Sequence, residues 1–174
     1  MTHRTLITLA ALAGAAALAT SPAMAVEPFI PDQQIGPVRL GQTLEQVKAE
    51  LGEPRRQVVR QVGSVERRVM SFGRIPDRAC PPASRPCPQI VVNVTGSSVV
   101  SVQTRSTRYR TTGRVGVGST RAQLAQAIPG LQCRRYPGQY VYCTNGGIDS
   151  PGRTQAWLSL SSGRAYLIGV RRAA

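Results

Sequence analysis

The sequence predicts an α+β protein of two tandem modules, each a short helix plus a three-stranded antiparallel sheet, with the helices packed on one sheet face. Three observations carry this prediction: a helix signal that occurs twice, a trio of strand-like segments after each copy, and a hairpin turn between the last two strands of each trio. The expected divisions are a leader over 1–25, an N-terminal segment over 26–34, a first module over 35–110 and a second over 111–174.

The helix signal reads GQTLEQVKAELGEP at 41–54 and GSTRAQLAQAIPG at 118–130. Aligning Gly41 with Gly118, an offset of 77, matches Val38 with Val115, Leu40 with Val117, Thr43 with Thr120, Gln46 with Gln123, Val47 with Leu124 and Leu51 with Ile128. Thr-x-x-Gln is a capping box: the Thr hydroxyl accepts an orphan amide of the first turn, and the Gln reaches back to the Thr amide. Leu44, Val47 and Leu51 make an apolar stripe that only Lys48 interrupts, and Gly52 or Pro129-Gly130 ends each helix. Helices of about two turns are marginal alone in water, so each must dock on a sheet.

Strand-like alternation follows in the same order after both helices. ERRVMSF (66–72), QIVVNVT (89–95) and SVVSVQTRS (98–106) follow the first; GQYVYCT (138–144), TQAWLSL (154–160) and AYLIGVRR (165–172) follow the second. TGSS (95–98) and SSGR (161–164) carry turn chemistry between the last two strands of each trio. The same order after both helix signals favours a duplicated unit.

At the start, MTHRTLITLAALAGAAALATSPAMA has a basic opening, an apolar run from Leu6 to Leu18 and Ala23-Met24-Ala25, the pattern of an export leader cleaved after Ala25. That run is shorter than the roughly 20 residues that span a bilayer, and no later segment is apolar enough to cross one. The expected location is the periplasm or the exterior. Removing 25 of the 174 residues leaves 149 and removes His3, the only histidine. Ser-His and Cys-His nucleophile pairs and histidine metal sites are thereby excluded. The carboxylates Glu27, Asp32, Glu45, Glu50, Glu53, Glu66, Asp77 and Asp149 show no spacing that suggests an acid/base pair. Neither a catalytic residue, a cofactor nor a metal is expected.

Cys80, Cys87, Cys133 and Cys143 form an even set in an exported chain, where disulfides are favoured. Of the three pairings, the local ones, Cys80 with Cys87 and Cys133 with Cys143, are preferred. C-x6-C and C-x9-C do not match zinc-knuckle spacing.

The phrase V-x-L-G-x-T-x-x-x-V…LG-x-P of 38–54, its partial echo at 115–130 and the strand trios resemble the SmpA/OmlA outer-membrane assembly lipoproteins and the β-lactamase inhibitory protein superfamily. That resemblance implies short helices over one face of an antiparallel sheet and a binding role for the other face. Val26 stands where the lipoproteins carry a lipid-modified cysteine, so a non-lipidated relative is implied.

Strand alternation locates a candidate binding face. With Cys143 and Val141 turned to the helices, Tyr140 and Tyr142 point away, as does Trp157 beside Gln155 and Ser159. Arg134, Arg135, Tyr136 and Arg153 are expected to flank this patch, and Tyr, Trp and Arg are the residue types that dominate binding hot spots. Tyr166 is expected in the core with Ile168 and Val170. Arg85, in the Pro-rich loop 78–89, is a further binding candidate.

Residues 26–77 carry eight basic and seven acidic side chains, whereas 78–174 carry thirteen arginines and one aspartate. Such a field steers acidic partners. The leading expectation is a non-enzymatic binding protein, with an inhibitor as one form of it, for an acidic protein in the envelope or outside the cell. The alternative is a cationic binder of anionic lipid head groups or phosphate-bearing polymers; export argues against nucleic acid. An enzyme would have only Asp149, near Ser150 and Arg153, to work with.

Overall fold

Apolar side chains recur at every second position of the strands, and that period gathers them on one surface. The computed structural model describes residues 27–76, 87–146 and 153–172. In chain order its elements are β1 (Glu27–Ile30), β2 (Gln34–Ile35), β3 (Val38–Arg39), α1 (Leu44–Leu51), β4 (Arg56–Val62), β5 (Val65–Phe72), β6 (Ile90–Thr95), β7 (Ser98–Thr104), β8 (Tyr109–Arg110), α2 (Arg121–Ala127), β9 (Leu131–Tyr136), β10 (Tyr140–Asn145), β11 (Thr154–Ser159) and β12 (Ala165–Arg171).

This architecture corrects the predicted tandem of three-stranded modules. The fold is mainly β, with one eight-stranded sheet in the order β4-β5-β6-β7-β12-β11-β10-β9 and a four-stranded sheet in the order β3-β2-β1-β8. Each helix is followed by four strands of the large sheet rather than three. The two unpredicted strands of the large sheet, β4 (RQVVRQV) and β9 (LQCRRY), are its outer edges, and the whole small sheet is unpredicted as well. Edge strands bury little and carry charge to discourage further pairing, so their sequences resemble polar connections. The two halves also do not keep separate sheets. β7 and β12, the last strand of each half, pair antiparallel with Val102 opposite Val170, and neither leaves an apolar edge in water.

Both helices start as their sequences require. Thr43 N–H donates to Gln46 Oε1 at 2.8 Å and Gln46 N–H to Thr43 Oγ1 at 3.3 Å. In α2, Thr120 N–H donates to Gln123 Oε1 at 2.9 Å and Gln123 N–H to Thr120 Oγ1 at 3.3 Å. Each cap is then fastened to the last hairpin of its own half. Gly41 N–H donates to the Val99 carbonyl at 2.9 Å and Gly118 N–H to the Ala165 carbonyl at 2.7 Å. The return bonds are Val99 N–H to the Gln42 carbonyl at 2.8 Å and Ala165 N–H to the Ser119 carbonyl at 2.9 Å. Gly41 and Gly118 take φ of 91° and 93°, a region that favours glycine.

One core runs under both halves. A cross-strand row, Phe72, Ile90, Thr104, Ile168, Ala156, Cys143 and Cys133, crosses seven strands on one sheet face. Val47 of α1, Leu124 of α2, Ile128, and Phe29, Ile35, Val38 and Tyr109 from the small sheet belong to the same core cluster. Helices and small sheet therefore share that face; β2 packs on β7 and β12, and β3 on β7. No described element covers the other face.

Candidate functional site

The face that no described element covers is built from the alternate residues of all eight strands. One row of cross-strand neighbours runs Arg56, Ser71, Val91, Gln103, Gly169, Gln155, Thr144 and Gln132 from one edge to the other. Leu167, Trp157, Tyr142 and Arg134 make a shorter row beside it. Tyr140 lies between Ser159 and Tyr136 in a third.

The aromatic side chains meet in pairs. Tyr142 and Trp157 have ring centroids 5.3 Å apart at 53°, and Tyr136 and Tyr140 have centroids 5.3 Å apart at 38°, both tilted arrangements that suit ring quadrupoles. Gln155 Nε2 donates to the Tyr142 phenol oxygen at 2.7 Å, which fixes that ring across the strand pair. Burial raises the Tyr142 pKa above its ordinary value, against the opposing pull of Thr144 first, then of nearby Arg171 and of the Gln155 bond. Gly169 leaves room for this packing: a Cβ there would stand 3.1 Å from Gln103 Cγ and 3.7 Å from Trp157 Cζ3.

Tyr166 departs from its predicted place in the core. The register shifts between Trp157 and Leu158, so Trp157 faces Leu167 while Leu158 faces Ala165, leaving Tyr166 as the extra residue of a β-bulge. It is half-buried, and the Arg105 guanidinium lies 5.1 Å from its ring centroid. Burial lowers the Arg105 pKa and raises that of Tyr166. A bulge breaks the period of two from which the core position was read.

Of the sequence candidates, Tyr136, Tyr140, Tyr142, Trp157 and Arg134 come together on this face. Arg135 does not: it pairs with Val141 on the side of β9 that faces the helices. Arg153 lies beyond the start of β11 and lines a hollow with Asp32, Gln33, Arg39, Leu40 and Arg172. Arg85, Asp149 and Ser150 lie outside the described residues. The Cys133–Cys143 disulfide joins directly opposed residues of β9 and β10, with Cα atoms 4.0 Å apart. Cys87 is also disulfide-bonded, and its expected partner Cys80 lies outside the described residues.

Sequence reasoning missed the cationic part of the face. By register, Arg56, Arg60 and Arg67 at one edge and Arg171 near the middle share it with Arg134 and Arg105. None of the described carboxylates does: Glu66 points to the other side of β5, where it pairs with Arg68 at 2.5 Å, Glu45 and Glu50 lie on α1 with Glu53 just after it, and Glu27 and Asp32 lie on β1 and the turn that follows. Other arginines of the basic half serve the fold instead. Arg110 donates to the carbonyls of Thr107, Arg114 and Val117 at 3.0, 3.0 and 2.9 Å, and Arg108 pairs with Glu27.

On the helical side, a cavity of about 930 Å³ includes Glu27, Gln34, Gln89, Arg108 and Tyr109 in its lining. Gln89 Nε2 donates to the Tyr109 phenol at 2.9 Å, while burial, with Glu27 second, pushes the Tyr109 pKa up to about 12. Nothing in the sequence marks this cavity, because its parts come from segments far apart. Among the described residues no group of three His, Cys, Asp or Glu side chains is placed to hold a metal ion, and no helix is long and apolar enough to cross a membrane.

No protein-family model matches the chain, and no curated protein matches it. Among solved structures, it is similar to the uncharacterized protein YfeY from Escherichia coli, with a TM-score of 0.52 and 14% identity over 84% of this chain and 99% of that one. It is also similar to an extracellular SCP-domain protein from Bacillus anthracis (TM-score 0.46, 13% identity, 76% of this chain and 43% of that one). A cysteine-rich secretory protein from Staphylococcus aureus gives a TM-score of 0.46 and 13% identity over 86% of this chain and 48% of that one. At these identities the likeness to YfeY is one of fold alone.

Proposed function

We propose that the protein is an exported, non-enzymatic binding protein that takes an acidic protein partner on its open sheet face. One observation carries this reading: Arg56, Arg60, Arg67, Arg105, Arg134 and Arg171 share the face that no described element covers with Tyr136, Tyr140, Tyr142, Trp157 and Tyr166, and no described carboxylate lies among them. Rings supply area that is cheap to order, and guanidiniums supply bidentate contacts to carboxylates. Export is supported by the leader-like start and by the disulfides. The matched bonds at Gly41 and Gly118 support reading the two halves as copies of one unit.

The test is site-specific photo-crosslinking in the native envelope, with the probe at Tyr140 or at Arg135 on the opposite side of the sheet. The reading expects an acidic protein captured from position 140, not from 135, and lost in Trp157→Ala and Arg134→Ala. Equal capture from both positions, or capture indifferent to both substitutions, would overturn it. A second reading, binding of anionic lipid or polymer, is favoured by the same surplus of arginine; it expects a steep loss of retention on anionic vesicles as salt rises.

A further inference from the structure

The hollow of about 480 Å³ on the helical side of the sheet lies apart from the open face, and it brings together three arginines from distant points of the chain. Arg39 ends β3, Arg153 precedes β11 and Arg172 follows β12. The backbone of each is anchored. Arg39 N–H donates to Gln42 Oε1 at 2.8 Å, the Arg153 carbonyl accepts from Arg171 N–H at 2.6 Å, and Arg172 N–H donates to the Val100 carbonyl at 2.9 Å. A Cβ on Gly41 would come within 3.0 Å of Arg172 Nη2, so the absent side chain leaves that guanidinium its place.

These charges are not neutralised from within. Among the described residues, none of the three guanidiniums forms an ion pair; the pairs present are Lys48–Glu53, Arg68–Glu66 and Arg108–Glu27. Asp32 borders the hollow, but its carboxylate is engaged by the fold. It accepts from Thr154 Oγ1 at 2.5 Å and from Asn145 Nδ2 at 2.8 and 2.9 Å. Like charges gathered in one hollow repel, and a bound anion relieves that repulsion.

We propose that Arg39, Arg153 and Arg172 form a site for a phosphate-monoester group. A single carboxylate is saturated by one bidentate arginine. Three guanidiniums against one engaged aspartate call for a ligand with more charge and more acceptor oxygens, which a phosphate monoester has. The group enters as a small soluble phosphate or on a lipid head.

The experiment is calorimetric titration of the purified, disulfide-intact protein with inorganic phosphate and with glycerol phosphate, alongside co-sedimentation with vesicles containing phosphatidic acid. Arg39→Gln and Arg172→Gln are each expected to weaken binding by about tenfold, the order expected for loss of a charge-assisted contact. Arg121→Gln, which removes the same charge from the start of α2, where Thr120 bridges to Arg164 at the opposite end of β12 from Arg172, is expected to leave binding unchanged. Titration without co-sedimentation assigns a soluble ligand, and co-sedimentation lost in the same two variants assigns a lipid head. No binding of either soluble phosphate at about 10 mM, a limit equivalent to under 3 kcal/mol, together with no co-sedimentation, overturns the site. Equal weakening by Arg121→Gln also overturns it, because general charge would then account for the affinity. Neither result bears on a protein partner at the open face, which Trp157→Ala tests separately.

Discussion

The Thr154 hydroxyl donates to Asp32 Oδ1 at 2.5 Å across 122 residues of sequence, and the Asp32 amide donates back to Thr154 Oγ1 at 2.8 Å. Asn145 completes the knot by donating to both carboxylate oxygens and by accepting from Thr154 N–H at 2.9 Å. The turn between β1 and β2 is thereby tied to β10 and β11, with Asp32 held at φ 64°, a left-handed conformation that Asp tolerates better than most residues.

Asp32→Ala removes the acceptor of two donors, one of them on the fully buried Thr154. The expected loss is about 2–3 kcal/mol in urea denaturation, the usual cost of orphaning buried polar groups near a charge. Asp32→Asn, which keeps one oxygen and tolerates the same backbone, should lose less. A loss below about 0.5 kcal/mol in Asp32→Ala would mean that water replaces the carboxylate without penalty.

Replacing Cys133 and Cys143 together by Ala is expected to cost about 2–3 kcal/mol, since the bond closes a loop with a sequence separation of 10. Because β9 is an edge strand, its amides should lose hydrogen-exchange protection before those of β11 and β12. Uniform loss of protection across the sheet would show that the bond supports the whole fold.

Gly169→Val should disrupt the centre of the open face while leaving the core row intact. The new Cβ would meet Gln103 Cγ at 3.1 Å and the Val102 carbonyl at 3.3 Å, both tight, with the Trp157 ring next. The expected outcome is a loss of about 1–3 kcal/mol and a changed near-ultraviolet signal from Trp157. An unchanged tryptophan signal would contradict the packing described.

Tyr109 gives a prediction about alkaline stability. Its folded pKa is about 12 against an unfolded value of 10.0, so the folded state holds the phenolic proton more tightly. That contribution is fully present below pH 10 and is lost as pH rises through about 12. Wild-type protein should therefore lose stability across this window, and Tyr109→Phe should lose less, the difference reaching about 2 kcal/mol. Tyrosinate absorbance should show a late-ionising tyrosine that Tyr109→Phe removes; an unchanged late phase in the variant would remove the basis of the effect.

Much of the local structure was legible because its signals are short-range. Thr43 with Gln46 and Thr120 with Gln123 state two helix starts, and alternation in QIVVNVT and TQAWLSL states two half-buried strands and their faces. The same alternation put Tyr140, Tyr142 and Trp157 on one side of the sheet. It failed at Tyr166, where a bulge inserts an extra residue, and at β4 and β9, where edge position removes the need for apolar content.

By itself, then, the sequence determined the helix caps, the inner strands and their facing, and a basic half with aromatic residues, all matters of neighbours a few positions apart. The tertiary structure alone decided that β7 pairs with β12 to make one sheet of eight strands, that Arg56, Arg60 and Arg67 share a face with Trp157, and that Arg39, Arg153 and Arg172 border one hollow. Those relations depend on which strand edges find each other, and period-two patterns are blind to that choice because any half-buried antiparallel strand can pair with any other.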